Sequence, residues 1–170
     1  MEQTNIPIKG VLTREARILV RCSQQAAFEF ISSSEELPRW LKSLGPIPGA
    51  EKVDVIEGPY DHVGARREIH FDKGNIATEQ LIRRDPYANY AYEISHFNQL
   101  FGKLTNAAYG ELWFDIVDNQ TRITWKYTFT YRSFFARILL SLILSLYYTR
   151  FLKQALRNAA EILNAEGESV

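Results

Sequence analysis

The sequence predicts an α+β fold in which a curved, seven-stranded antiparallel sheet packs against one long C-terminal helix, with two short helices after the first strand. The chain has 170 residues, 46% of them hydrophobic, which suits a single domain over residues 1–170 with an ordered core over about 14–166. Six successive segments after residue 50 alternate apolar and polar side chains, as strands do. From about Ser133 to Glu166 the period becomes helical, without proline.

The N-terminal part of the chain predicts one strand followed by two short helices. Residues 15–22 alternate and form the strand. Ser23 offers its hydroxyl as the cap of a helix over residues 24–31. Ser34 is the expected cap of the second helix, and Pro38 suits the first turn of that helix because its missing N–H costs little there.

The middle of the chain predicts an antiparallel meander, because its strands are joined by short turns. The predicted strands span residues 51–57, 64–71, 76–84, 90–95, 107–117 and 121–131. One face of such a sheet must be covered. Only the C-terminal helix, roughly 30 residues and so about 45 Å long, can cover it.

Charge and cysteine content argue against several classes of protein. The charges of twenty basic and twenty acidic side chains cancel. Binding of nucleic acid through excess positive charge is therefore not indicated. Cys22 is the only cysteine, which precludes an intramolecular disulfide and suits a cytoplasmic location. Residues 1–12 lack the apolar core of a secretory signal.

An apolar stretch in the long helix raises the question of a membrane. Residues 138–149 are nearly all apolar, but a spanning helix needs roughly 20 such residues, so we expect no transmembrane span. Peripheral contact with a membrane stays open. The helix is also apolar on more sides than one sheet can cover. We expect a homodimer or a hydrophobic lid to bury the excess, which includes Phe135, Leu139, Leu142 and Leu146.

Several local motifs occur in the order and spacing of a known superfamily. They are Glu36-Leu37-Pro38-Arg39-Trp40, Gly64-Ala65-Arg66-Arg67-Glu68-Ile69, Gly74, Glu79, Leu81, Asp85-Pro86, Leu104-Thr105-Asn106 and Thr121-Arg122-Ile123-Thr124-Trp125. From about residue 14 to residue 163 the chain resembles the START-like, helix-grip superfamily, and within it the bacterial polyketide cyclase/dehydrase and lipid-transport (SRPBCC) group. The resemblance implies a sheet wrapped around the helix, with a cavity between them. It leaves the function open, because the superfamily includes enzymes, carriers and hormone receptors.

One face of the last predicted strand carries a row of aromatic side chains. Alternation puts Trp125, Tyr127, Phe129 and Tyr131 on one side, and this apolar side must face inward. The row either fills an aromatic core or walls a pocket for an apolar or aromatic ligand. The remaining candidate ligand contacts, given by strand or helix periodicity and by the fold that the resemblance implies, are Ile69, Phe71, Tyr92, Asn106, Tyr147 and Phe151.

Arg67 shares the inward face of its strand with Ile69 and Phe71, and a buried guanidinium needs a partner. Glu79 on the next strand is the natural partner, but the length of the intervening turn decides where Glu79 points. A two-residue loop pairs Phe71 with Ile76 and turns Glu79 outward. A three-residue loop with a bulge pairs Ile69 with Glu79 and places Glu79 inside, diagonal to Arg67. The resemblance favours the second arrangement, since a glutamate at this motif position commonly points into the cavity of the superfamily.

Motifs for metal or nucleotide chemistry are missing from the sequence. The three histidines lack ligand-like spacing, and neither a glycine-rich phosphate loop nor a nucleophile elbow occurs. We therefore expect no metal and no cofactor. Glu79 is the acid/base candidate in the expected cavity and Arg67 the candidate anion anchor, which makes these two the candidate catalytic residues.

Three functions stay open at this point. The first is binding or transport of a small hydrophobic or aromatic molecule, such as a lipid, an isoprenoid or a polyketide-like compound. The second is a cyclase/dehydratase-type enzyme in which Glu79 and Arg67 act on a substrate that the cavity folds. The third is a protein-interaction module that uses the apolar face of the long helix.

Overall fold

The computed structural model describes residues 10–167, the side chain of Gln99 excepted. Its strands are β1 Val11–Val20, β2 Ala50–Val55, β3 Arg66–Phe71, β4 Asn75–Asp85, β5 Asn89–Ser95, β6 Ala108–Val117 and β7 Gln120–Thr130. Its α-helices are α1 Gln24–Ser32, α2 Leu37–Trp40, α3 Gln99–Leu104, α4 Phe134–Ile143 and α5 Thr149–Gly167.

The seven strands form one sheet in the order β1-β7-β6-β5-β4-β3-β2. All six neighbouring pairs are antiparallel. The concave face holds the alternating apolar residues of the strands, such as Ile123, Trp125, Tyr127 and Phe129 of β7, each at most 5% exposed. This arrangement confirms the predicted fold class. The chain adopts it because a meander with one apolar face and one long helix can bury that face in few other ways.

The long helix runs from Phe134 to Glu166, as the periodicity predicts, but it contains a π-helical turn at Leu144–Tyr148. A π turn accommodates one residue more than an α turn. The inward positions of the N-terminal half therefore recur at every fourth residue: Ala136, Leu140, Leu144 and Tyr148 are all buried. Among the described residues this helix alone is long and apolar enough to cross a membrane. Its C-terminal part, α5, packs against β1 of the sheet.

Of the two expected helix caps, the one at Ser23 is correct and the one at Ser34 is wrong. Ser23 caps α1, and its hydroxyl accepts a hydrogen bond from the backbone N–H of Ala26 at 3.1 Å. Ser34 does not cap α2, since Glu36 is the residue before that helix. The hydroxyl of Ser34 instead accepts a hydrogen bond from Arg67 at 3.1 Å, so the segment before α2 is tied to the sheet.

The turn between β3 and β4 has three residues, Asp72–Gly74. Lys73 and Gly74 both have positive φ, 57° and 72°, which lets the chain reverse so tightly. The register pairs Arg67 with Glu79 and Ile69 with Ala77. Glu79 therefore lies on the inner face, but directly opposite Arg67. The expected Ile69–Glu79 pairing is wrong because the turn adds no bulge to either strand.

Candidate functional site

A cavity lies between the concave face of the sheet and the C-terminal helix. Its volume is about 80 Å³, against the roughly 10–15 Å³ that one water molecule requires. With its mouth and the gaps between side chains, the crevice spans about 830 Å³. The described residues that line it include only two charged ones, Arg67 and Glu79, and most of the others are aromatic or aliphatic. In this closed form the cavity holds a few waters or a very small ligand.

Arg67 and Glu79 form an ion pair in the wall of this cavity. Arg67 is 1% exposed and Glu79 is 2% exposed. Nη2 of Arg67 lies 2.7 Å from Oε1 of Glu79, and Nε of Arg67 donates to the same oxygen at 3.0 Å. The register of β3 and β4 positions both residues, because it sets them opposite each other on the inner face. Each charge therefore depends on the other for its compensation.

Two tyrosines and a serine complete this polar cluster. The hydroxyls of Tyr60 and Tyr90 donate to Oε1 of Glu79 at 2.7 and 3.1 Å. Arg67 donates through Nη2 to the Tyr90 hydroxyl at 3.2 Å and through Nη1 to Ser34 at 3.1 Å. The guanidinium carbon also lies 4.3 Å from the centre of the Tyr60 ring, a cation–π distance. All three nitrogens of Arg67 thus have acceptors within the protein.

Electrostatics keep this cluster in a defined protonation state. Burial, and next the charge of Glu79, raise the pKa of Tyr60. Burial also raises the pKa of Tyr90, although the charge of Arg67 opposes the shift. Burial acts to lower the pKa of Arg67, but attraction to the charge of Glu79 outweighs it, so the net shift is upward. The cluster therefore combines a charged guanidinium with protonated phenols.

The aromatic wall continues from this cluster along β5, β7 and the helix. The indole N–H of Trp125 donates to the hydroxyl of Tyr92 at 3.1 Å. The ring of Tyr127 stacks on Phe129 with centres 5.2 Å apart, and the ring of Tyr148 meets Phe129 edge to face at 4.9 Å. Burial raises the pKa of Tyr92, Tyr127 and Tyr148. The wall is thus flat and apolar, with neutral hydroxyls as its polar groups.

The mouth of the cavity is where its lining residues become partly exposed. They are Pro48, Phe71, Asn75, Ile76, Phe97, Asn98 and Phe101. Phe101 of α3 stacks on Phe129 with ring centres 6.2 Å apart. The Asn98 side chain donates to the carbonyl of Gly74 at 2.8 Å and accepts from the N–H of Ile76 at 2.7 Å. Asn98 therefore fastens the segment that begins α3 to the β3–β4 turn.

Nine of the twelve predicted site residues line the cavity: Arg67, Glu79, Ile69, Phe71, Tyr92, Trp125, Tyr127, Phe129 and Phe151. The other three do not. Asn106 is exposed between α3 and β6. Tyr131 follows the end of β7, and its ring lies against Gly10, where an added Cβ would meet its hydroxyl oxygen at 1.6 Å. Tyr147 is 36% exposed, and its ring lies against Gly45, where an added Cβ would meet Cδ1 at 2.9 Å.

Tyr148 occupies the inward position expected for Tyr147. A regular α-helix places Tyr147 above Phe151, four residues later. The π turn at Leu144–Tyr148 widens the helix at this point, which turns Tyr148 inward and Tyr147 outward. The sequence does not indicate this turn. The stretch is apolar on all sides, so a shift of the inward face by one residue leaves the apolar pattern unchanged.

Tyr60, Ser34 and Asn98 are among the site residues that the sequence patterns do not indicate. Tyr60 lies in the irregular segment between β2 and β3, where no periodicity gives the direction of a side chain. Ser34 was assigned to a cap, and its contact with Arg67 joins residues far apart in sequence. Asparagine often precedes a helix, so the sequence could have indicated Asn98 as a helix cap. It could not indicate the actual partners of its side chain, Gly74 and Ile76. Among residues 10–167, no group of three or more His, Cys, Asp or Glu side chains is arranged to hold a metal ion.

This combination of sheet, helix and cavity has counterparts among known proteins. The family model for polyketide cyclase / dehydrase and lipid transport matches residues 12–164. The chain belongs to this family. The match confirms the resemblance drawn from the local motifs, and family and fold together are those of a ligand-binding domain. No curated protein matches the chain.

Solved structures share the fold of this family member at low sequence identity. A point mutant of Thalictrum norcoclaurine synthase in complex with a transition state analogue superposes with a TM-score of 0.69 at 13% identity, covering 93% of this chain and 97% of the synthase. Ara h 8.0201 gives a TM-score of 0.68 at 12% identity, covering 92% and 99%. Ginseng major latex-like protein 151 from Panax ginseng gives 0.65 at 13%, covering 90% and 97%. At these identities the likeness shows the fold alone.

Proposed function

We propose that the protein binds or carries a small hydrophobic or aromatic molecule in the internal cavity. One observation supports this most directly: the cavity is walled by stacked aromatic rings, and its two charged residues, Arg67 and Glu79, neutralise each other. Such a site favours an apolar body over a charged one, because nothing in the wall offers an unpaired charge. The single unpaired Cys22 supports a cytoplasmic location for this activity.

The ligand class that fits is neutral, with an apolar or aromatic skeleton and few polar atoms. An acid would need a cation, but the nitrogens of Arg67 already bond to Glu79, Tyr90 and Ser34. Neutral carbonyl or hydroxyl groups match the tyrosine hydroxyls of the aromatic wall as hydrogen-bond partners. Isoprenoid, polyketide-like and lipid molecules all satisfy this description.

Entry of such a molecule requires the mouth to open. The closed cavity, about 80 Å³, is smaller than the roughly 300–1,000 Å³ of ordinary ligand pockets. The segment from Phe97 to Phe101 can move with least disturbance, since it is partly exposed and held by the side chain of Asn98. Its outward movement would widen the crevice towards Phe129.

A cyclase- or dehydratase-type enzyme is the second candidate, and the buried carboxylate of Glu79 favours it. The hydrogen bonds of Glu79 weaken this candidate, because Tyr60, Tyr90 and Arg67 all donate to Oε1. Oε1 accepts a substrate proton only if its present donors rearrange, so catalysis would have to use Oε2. Glu79→Gln separates the two functions: ligand binding survives the substitution, whereas acid–base catalysis does not.

The binding test uses N-phenyl-1-naphthylamine, a neutral aromatic probe. Trp40 and Trp125 line the cavity, whereas Trp113 lies under Lys126 outside it, 5.9 Å from the ammonium. A Trp113→Phe background therefore makes energy transfer from tryptophan to the probe report on the cavity. We expect saturable transfer. Its absence, together with native mass spectrometry that finds no small molecule in freshly purified protein, would contradict the proposal.

A matched pair of variants distinguishes wall contact from general destabilisation. Tyr127→Ala removes a ring from the cavity wall and should weaken probe binding by about tenfold. Phe114→Ala removes a ring that is equally buried, at 1% exposure, but packs on Phe28 outside the cavity. It should leave the affinity for the probe nearly unchanged in the folded protein. Equal losses in both variants would mean that the probe does not occupy this cavity.

A further inference from the structure

The N-terminal half of the long helix presents a continuous apolar surface to solvent. We call this surface the apolar belt; it consists of Phe134, Phe135, Ile138, Leu139, Leu142, Leu146 and Tyr147, each between 36% and 81% exposed. Their neighbours Ala136, Leu140 and Leu144 are buried. Monomeric soluble proteins rarely expose so large a contiguous apolar patch without a partner. The belt is therefore an interaction surface.

Positive charge borders the belt along the helix itself. Residues 132–160 contain five basic side chains and no Asp or Glu. All five are exposed: Arg132, Arg137, Arg150, Lys153 and Arg157. A further guanidinium comes from β1, where Nη2 of Arg14 donates to the hydroxyl of Ser145 at 2.7 Å. An apolar strip of Phe, Leu and Ile framed by Arg is the pattern of helices that lie in the plane of a membrane surface.

We infer that the apolar belt docks onto a lipid surface that carries anionic headgroups. Apolar side chains enter the boundary between headgroups and acyl chains, while the flanking arginines contact lipid phosphates. A second copy of the chain is the less favourable partner. Belt-to-belt packing would bring the arginines of two helices together, and residues 132–160 supply no carboxylate to compensate them. This inference goes beyond ligand binding and does not depend on it.

The belt is continuous with the segment from Phe97 to Phe101 at the cavity mouth. The backbone N–H of Arg132, just before α4, donates to the carbonyl of Leu104 at 3.1 Å, and its side chain donates to that of Thr105 at 3.3 Å. These contacts join the end of α3 to the start of α4. Leu100 of α3 is itself 47% exposed. Docking through the belt therefore brings α3 close to the same lipid surface.

Flotation of the full-length protein with vesicles tests the inference. The probes are vesicles of phosphatidylcholine alone and vesicles of phosphatidylcholine with phosphatidylglycerol. The wild type should float with the anionic vesicles and much less with the neutral ones. The triple variant Phe135→Ser, Leu139→Ser, Leu142→Ser should bind at least about tenfold more weakly. Ile116→Ser is the matched control, since Ile116 is 70% exposed on β6 outside the belt, and it should float like the wild type.

A charge variant tests the choice of partner. Arg137→Gln should weaken binding to the anionic vesicles and leave the small binding to neutral ones unchanged, because only the first depends on headgroup charge. Lys52→Gln, which removes an exposed cation from β2, should change neither. Equal binding of the wild type and Arg137→Gln to anionic vesicles would overturn the inference that the flanking arginines contact anionic headgroups.

Two outcomes would overturn the inference as a whole. One is a wild type that floats with neither kind of vesicle, or a triple variant that floats as well as the wild type. The other is a wild type that sediments as a dimer, becomes a monomer on the triple substitution and binds no vesicle, which would assign the belt to a second copy. Energy transfer to N-phenyl-1-naphthylamine in the same variants keeps this test separate from the proposed ligand binding, and circular dichroism checks that each variant is folded.

Discussion

Arg67 and Glu79 face each other across two neighbouring strands, and Nη2 of Arg67 lies 2.7 Å from Oε1 of Glu79. Both side chains are almost completely buried. Tyr60 donates to the same carboxylate oxygen from the segment before β3. The pair thus links β3, β4 and an irregular segment through one buried oxygen. Among the described residues that line the cavity, no other is charged.

Arg67→Ala should lower the free energy of unfolding by about 3–5 kcal/mol, because it leaves the Glu79 carboxylate buried and unpaired. Urea denaturation measures this loss. The matched control is Arg66→Ala on the adjacent position, whose ion pair with Glu57 at 2.7 Å is exposed and contributes only about 0–1 kcal/mol. The double variant Arg67→Met, Glu79→Met should be more stable than Arg67→Ala. Equal losses at Arg66 and Arg67 would contradict the burial argument.

The buried tyrosines should make the protein less stable at alkaline pH. Burial raises the pKa of Tyr92, Tyr127 and Tyr148 in the folded protein. Above a pH of about 10, the pKa of an unfolded tyrosine, the unfolded chain therefore releases protons that the folded protein retains. The free energy of unfolding must then fall as pH rises, and the contribution is fully present below that pH.

Tyrosinate absorbance measures this effect directly. The native protein should ionise fewer than its nine tyrosines before it unfolds, and the remainder should ionise together with unfolding. Tyr148→Phe removes one retained proton and should make the alkaline loss of stability less steep. Ionisation of all nine tyrosines with the fold intact would refute the prediction.

Asn98→Ala should loosen the attachment of the segment from Phe97 to Phe101 to the β3–β4 turn, while the backbone N–H of Asn98 still donates to the carbonyl of Ile76 at 3.2 Å. It removes the side-chain hydrogen bonds to the carbonyl of Gly74 and the N–H of Ile76, which together contribute about 1–3 kcal/mol. Amide exchange at Ile76 should accelerate by about tenfold or more. Asn75→Ala is the control, because its side chain bonds within the turn, to the carbonyl of Asp72. Equal exchange rates at Ile76 in the wild type and in Asn98→Ala would show that the Asn98 side chain does not hold this segment.

Gly110→Ala should disturb the aromatic wall. A Cβ at this position would lie 2.2 Å from Cζ of Tyr92, so the ring must shift and weaken the hydrogen bond that it accepts from Trp125. The expected loss of stability is about 1–3 kcal/mol, with a change in tryptophan fluorescence. Tyr92→Leu removes the obstructing ring, so the two substitutions should be far from additive. Additive losses in urea denaturation would show that Tyr92 does not constrain Gly110.

The fold followed from the sequence because its signals are local and repeated. Strand alternation, turn residues and a long helical period all lead to a sheet with one face to cover. Strand alternation alone also placed Arg67, Trp125, Tyr127 and Phe129 on the inner face, since every second residue of a strand points the same way. These predictions needed no knowledge of register.

The remaining site residues depend on features that a single residue can shift. The direction of Glu79 followed from the length of one turn, and the residues alone left two lengths open. The exchange of Tyr147 for Tyr148 follows from the π turn at Leu144–Tyr148, which an all-apolar segment does not signal. Tyr60 lies outside any periodic element. Such positions are determined by tertiary contacts, which a pattern along the chain does not record.

The order of strands in the sheet has a consequence for the time course of folding. β1 pairs with β7, from Val11 opposite Thr130 to Val20 opposite Thr121, so its partner lies more than 100 residues later in the chain. During synthesis on a ribosome β1 must wait, unpaired, until nearly the whole sheet has emerged. Such non-local pairing slows folding and leaves a strand edge exposed to other chains meanwhile. We therefore expect β1 to dock last, and nascent chains that stop before β7 to depend on chaperones.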